Sequence, residues 1–114
     1  MDERELEDWL KQPGTDYVLY LYITGATPNS IKAVRNIKEI CELYLKGRYE
    51  LVIIDIYQQP ELAQEEQIIG MPTLIKKSPG LVRRLVGDLS DRARVLRGLG
   101  LGLDAPLRNE GGLP

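Results

Sequence analysis

The sequence predicts an α/β domain with the element order β-α-β-α-β-β-α and a mixed sheet. Three observations carry that expectation. Two apolar runs, Tyr17–Ile23 and Leu51–Ile56, flank a helical pattern, and strand–helix–strand of that length implies a right-handed parallel crossover. A second helix-like run leads through Gly70-Met71-Pro72-Thr73-Leu74 into a third strand. Ser78-Pro79-Gly80 is a tight-turn sequence between two further strand-like runs, so a β-hairpin follows.

Each element has its own local reason. Residues 1–12 hold five acids against two bases, with Leu6, Trp9 and Leu10 at i, i+3 and i+4. A short amphipathic helix fits this spacing, either packed on the domain or presented to a partner, and Pro13-Gly14 ends it. Tyr17–Ile23 is rich in aromatic and β-branched residues and apolar on both faces, as a buried strand should be. Gly25 breaks the strand. Thr27 as N-cap and Pro28 at the first helical position then open a helix. Ile31, Val34, Ile37, Ile40, Cys41 and Tyr44 fall on one face of it, Lys32, Arg35, Lys38, Glu39 and Glu42 on the other. Gly47 is the expected stop. Leu51–Ile56 reads as a second fully apolar strand. Gln59-Pro60 opens a second helix expected to run to Gly70. Thr73–Lys77 and Leu81–Val86 are the hairpin strands. Ser90 or Asp88 is the expected N-cap of a last helix over Asp91–Arg97. The expected organisation is an N-terminal extension over 1–14, a domain over 15–100 and a flexible Gly/Leu-rich tail over 101–114.

Composition removes whole classes of chemistry. The chain has 114 residues, no histidine, one cysteine and a net charge of −2. One domain of this length supports a core with little to spare, and the charge predicts no general affinity for nucleic acid. A spanning helix needs about 20 apolar residues in a row, and no such run exists. The acidic N-terminus lacks a signal-peptide core, and a lone Cys41 cannot form an internal disulfide, so a cytoplasmic setting is expected. Without histidine or a second cysteine, zinc sites and Ser-His or Cys-His nucleophiles are not available. No cofactor or metal is expected, and no enzyme.

The remaining candidates are weak as catalysts. Cys41 lies in the apolar helical stripe, where a thiol acts as a small hydrophobe. Glu65 and Glu66 are helix neighbours that point apart, and Asp88 and Asp91 sit where acids complement a helix start. Charge is more informative. Between Lys76 and Arg97 stand seven bases and two acids, which is either a solvated face or a docking surface for an acidic partner. Arg83 and Arg84 are adjacent in a strand and must point to opposite faces.

The run from Gly70 to Leu74 resembles the entry to the third strand of thioredoxin-like domains, usually made through a cis proline; the resemblance implies a cis Met71–Pro72 bond. The segment that would carry the paired cysteines, Thr24-Gly25-Ala26-Thr27-Pro28-Asn29-Ser30, contains none. Thiol–disulfide exchange needs a thiolate and a resolving thiol, so the scaffold is expected without its redox chemistry.

From Tyr17 to about Leu101 the chain resembles the KaiB family. The resemblance lies in Leu19-Tyr20-Leu21-Tyr22, Thr27-Pro28-Asn29-Ser30, Ile54-Asp55-Ile56, Pro72-Thr73-Leu74 and above all in Val82-Arg83-Arg84-x-Val86-Gly87-Asp88-Leu89-Ser90-Asp91. It implies a non-enzymatic protein that binds the N-terminal ATPase ring of a KaiC-type kinase, recruits KaiA and displaces a sensor histidine kinase with a KaiB-like domain. The expected protein-binding residues are Lys32, Arg35, Glu65, Gln67, Arg83 and Arg84. Family members usually carry lysine where Gln67 stands, and the clock protein's acidic tail is replaced by a Gly/Leu-rich end. These departures imply a divergent paralogue. A redox-inactive thioredoxin-like adaptor in a stress or signalling pathway is the alternative.

The family also implies two folds: the thioredoxin-like monomer and a tetrameric ground state ordered β-α-β-β-α-α-β. The residues expected to decide between them are Pro72, Pro79, Gly80, Gly98 and Gly100. Pro79 and Gly80 would stand inside a helix in the ground state, at a cost of about 3 and 1 kcal/mol. Gly98, Gly100 and Gly102 would weaken its last strand. The thioredoxin-like monomer is therefore expected.

Overall fold

The computed structural model describes residues 2–3, 17–68 and 70–101. The expected N-terminal helix and most of the expected tail lie outside them. The elements are β1 (Tyr17–Ile23), α1 (Pro28–Tyr44), β2 (Tyr49–Asp55), α2 (Pro60–Glu65), β3 (Thr73–Ser78), β4 (Arg83–Val86) and α3 (Arg92–Gly98). The order is the expected β-α-β-α-β-β-α. The sheet runs β2-β1-β3-β4, with β1 parallel to β2 and antiparallel to β3, and β3 antiparallel to β4.

Period-two alternation along β1 divides the interior. Leu19 and Leu21 point to the side carrying α1 and α3, where they meet Ala33, Ile37, Ile40, Cys41, Leu74, Val95, Leu96 and Leu99. Tyr22 points the other way, to Ile54 and Ile75, with Leu62 and Ile68 packed over them. Full burial of one such aliphatic side chain contributes roughly 1.5–3 kcal/mol, so the larger cluster is the main source of stability. The sheet is thus sandwiched, α1 and α3 on one face and α2 on the other.

Local chemistry sets the ends. Thr27 caps α1 through a bond from the Ser30 amide, with Pro28 in the first turn. The burial pattern differs from the expected stripe: Ile31 is 46% and Tyr44 44% exposed, while Ser30, Ala33, Ile37, Ile40 and Cys41 form the buried face. α1 ends at the cap Leu45, and Gly47 (φ +77°) serves the turn after it, where Arg48 N donates to Leu45 O. β2, apolar as expected, lies at the sheet edge and is only partly buried. Ile54 is enclosed, and Ile53 is 38% exposed.

α2 stops at Glu65, short of the expected Gly70. Gln67 takes a left-handed conformation (φ +59°), its amide bonds to Gln64 O, and Ile68 N bonds to Ala63 O. Together these form the paired carbonyl closure normally made with glycine at that position. The N-cap of α3 is Asp91, whose carboxylate accepts from the Arg94 amide, and neither Ser90 nor Asp88 takes that role. Asp88 instead accepts from the Ser90 amide. The cis peptide among the described residues is Ser78–Pro79, not Met71–Pro72. Sequence could not choose between the two prolines flanking β3, since the intrinsic trans preference is small and tertiary context decides.

The Val82–Asp91 run is structural for most of its length. Gly87 N donates to Pro72 O at 2.8 Å. The Asp88 carbonyl accepts from Asn36 Nδ2 at 2.8 Å. Leu89, at φ +62°, is driven into the core with 3% exposure. The run thereby ties β4 to α1 and aims α3.

Candidate functional site

The strand–helix junction that would carry thiols in a redox protein is a closed hydroxyl cluster. Thr27 Oγ1 donates to Ser30 Oγ at 2.8 Å, and Thr24 N donates to the same oxygen at 3.0 Å. Thr24 Oγ1 lies 3.1 Å from Thr27 Oγ1 and 3.2 Å from Ser30 Oγ. Asp55 Oδ1 accepts from the amides of Gly25 and Tyr57, pinning the loop from the neighbouring strand. The hydroxyls satisfy one another, and the chain has no histidine to activate them. This junction holds structure. Cys41 is fully buried on α1, and burial pushes its thiol up to about 12, the opposite of a reactive cysteine.

The six expected binding residues do not form one surface. Arg83 and Arg84 part to opposite sides of β4, as strand geometry requires. Arg84 faces α2: its guanidinium donates to Glu66 O at 2.6 Å and stands 3.6 Å from Glu66 Oε1. Glu66 also receives Lys77 Nζ at 2.9 Å. That hydrogen bond holds the Lys77 ammonium above its usual range, while the same ammonium lies 5.3 Å from the Tyr20 ring centroid. Lys77 crosses from β3 and Arg84 from β4, so Glu66 fastens the end of α2 to both hairpin strands.

The structure brings Gln67 and Arg84 together. Both line a cleft of about 540 Å³ with Met71, Thr73 and Val86. Met71 is 50% and Val86 42% exposed, giving the cleft apolar floor beside a guanidinium. Glu65 is exposed on the adjoining turn of α2. An apolar centre with a polar rim is the composition of a protein-binding patch. Lys32 and Arg35 stand apart, on α1 across the sheet, where Arg35 borders a separate cleft of about 500 Å³ with Ile23, Ile31, Val34 and Asp55. Arg83 belongs to the α3 side.

The basic run from Lys76 to Arg97 is dispersed in the same way. Lys77 and Arg84 share Glu66, Arg92 pairs with Glu39 at 2.8 Å, and Arg94 donates to Val86 O. Sequence reasoning missed Glu66, Met71 and Val86. The alternation of β4 could have placed Val86 beside Arg84, but nothing local pairs Glu66 with a strand eleven residues away. No cluster of metal ligands occurs among the described residues, and no helix there is long and apolar enough to cross a membrane.

A KaiB domain model matches residues 20–101. The circadian clock oscillator protein KaiB of Prochlorococcus marinus subsp. pastoris is 52% identical over 88 residues, covering 77% of this chain and 82% of that protein. KaiB of Synechococcus sp. strain CC9311 is 47% identical over 98 residues, covering 86% and 82%. Among solved structures, the N-terminal domain of Synechococcus elongatus SasA superposes with a TM-score of 0.64 at 25% identity, covering 87% of this chain and 90% of that one. Oxidised mitochondrial thioredoxin 3 of Saccharomyces cerevisiae gives 0.62 at 16% identity, covering 85% and 87%. The last likeness concerns the fold alone, which is thioredoxin-like.

Proposed function

This chain belongs to the KaiB family, and on that premise we propose that it is a non-enzymatic clock or signalling component that acts by docking. Its partner is the N-terminal ATPase domain of a KaiC-type protein, whose phosphorylation cycle it modulates. The observation that carries this reading is the α2–β4 cleft, where Gln67 and Arg84 flank exposed Met71 and Val86 on a scaffold whose redox position is filled by mutually bonded hydroxyls. A pre-formed patch on a rigid hairpin binds with little ordering cost. The likeness to the SasA N-terminal domain supports competition of two like-folded proteins for one partner surface. Recruitment of KaiA belongs to the same reading. The docking form is the thioredoxin-like monomer, spanning residues 15–100.

Binding of the full chain to a hexameric KaiC homologue, followed by interferometry, tests this. Arg84→Glu should slow association in a salt-dependent way, and Met71→Ala should speed dissociation. Arg83→Glu, on the other side of β4, should bind as the parent does. Absence of binding, or equal loss from the Arg83 and Arg84 variants, overturns the assignment of this face.

A further inference from the structure

A second cleft, of about 350 Å³, opens on the α3 side of the sheet beneath the β3–β4 turn. Among the described residues that line it, three are cations, Lys76 from β3, Arg83 from β4 and Arg97 from α3, and none is an acid. Lys76 is only 5% exposed. Its ammonium donates to the carbonyls of Pro79 and Leu81, which hold it in place and leave its charge without a carboxylate. Neither Arg83 nor Arg97 forms an ion pair or a side-chain hydrogen bond among the described residues. Lys77, Arg84 and Arg92, by contrast, each have a carboxylate within 4 Å, whereas the three cations of this cleft have none among the described residues. Burial, and secondarily the neighbouring Arg83 charge, pulls the Lys76 ammonium below its usual range. Like charges from three separate elements, converging on a concave site, define a place where an anion relieves repulsion.

We propose that the Lys76–Arg83–Arg97 cleft binds a phosphate group, free as phosphate or pyrophosphate or carried on a nucleotide. Two guanidinium forks and an ammonium are the donor set that clamps tetrahedral oxyanions. Three positive charges match a di- or trianion better than a single carboxylate. The cleft is also larger than a bare phosphate, leaving room for an attached organic group against Tyr17, which lines one wall. The site is separate from the α2–β4 docking cleft and does not depend on the partner assigned there.

The test is a titration of the ¹⁵N-labelled full chain with sodium pyrophosphate and, separately, with metal-free ATP, each against sodium chloride at matched ionic strength. Saturable shifts confined to the amides of Gly80, Leu81, Gly98 and Gly100 are expected. Arg97→Gln and Arg83→Gln should each weaken binding about 10- to 100-fold, the loss of one charged hydrogen bond. Lys38→Gln, on the exposed face of α1, should change nothing. Tighter binding of ATP than of pyrophosphate assigns a nucleotide, and equal binding assigns the free anion; both support the site. Shifts that do not saturate, shifts that sodium chloride reproduces, or unchanged affinity in both arginine variants overturn it.

Discussion

Gly98 and Leu85 occupy one shared volume: a Cβ on Gly98 would lie 2.8 Å from Leu85 Cδ1 and 3.2 Å from its Cγ. The last residue of α3 is therefore fitted to the one inward-facing leucine of β4, and the seam between helix and hairpin closes because that position has no side chain. Gly98 was expected to matter as a poor strand residue in the ground state, and it has this second role in the thioredoxin-like state. Alanine at 98 gains about 1 kcal/mol of helix propensity and displaces Leu85. The two effects should nearly cancel in Gly98→Ala. In a double-mutant cycle with Leu85→Ala, urea denaturation should give a coupling energy of at least about 0.5 kcal/mol; strict additivity would contradict the contact.

Gln67 closes α2 in a left-handed conformation that costs a non-glycine residue about 1 kcal/mol. Gln67→Gly should stabilise the fold by up to that amount, less the added freedom of glycine in the unfolded chain. Gln67→Val, branched at Cβ, should destabilise it by about 1 kcal/mol or more. Equal midpoints for the two variants would show that the closure carries no strain.

Tyr49 donates its phenol proton to Glu42 Oε2 at 2.7 Å, and that bond pushes its pKa up to about 12. In the unfolded chain the phenol ionises near pH 10, so the folded state holds the proton longer. The resulting stability is complete below about pH 10 and is lost as the pH rises through about 12. Ultraviolet difference titration should show this late tyrosine, and Glu42→Gln should return it toward the ordinary range. An unchanged titration curve in that variant would refute the assignment.

Cys41 should be inert to a disulfide reagent at pH 8 and react fully once the chain is unfolded, because burial both shields the thiol and raises its pKa. Rapid labelling of the native protein would mean that α1 opens far more readily than its packing implies.

Glu66 receives both Lys77 and Arg84. Glu66→Ala should cost about 1 kcal/mol in stability, as expected of partly exposed pairs acting as a small network. It should also weaken partner binding through a loosened Arg84. Binding unchanged beside reduced stability would separate the fastening role of Glu66 from the docking face.

Much of the architecture was legible in the sequence because its signals are local. The apolar alternation of Tyr17–Ile23, the Thr27-Pro28 helix start and the Ser78-Pro79-Gly80 turn each act within a few residues. Strand alternation alone also separated Arg83 from Arg84, as the structure bears out. Tertiary structure decided what depends on residues far apart in the chain. The edge position of β2 left Ile53 exposed in a strand that reads as fully apolar. The closure at Gln67 shortened α2, and the cis bond fell at Pro79 rather than Pro72. The basic run, which offered either a solvated face or a docking surface, was divided by the sheet: Glu66 took Lys77 and Arg84 on one face, and Lys76, Arg83 and Arg97 were left facing one another on the other. Periodicity assigns a side chain to a face, but whether its charge meets an opposite or a like charge there depends on chain segments that local pattern does not connect.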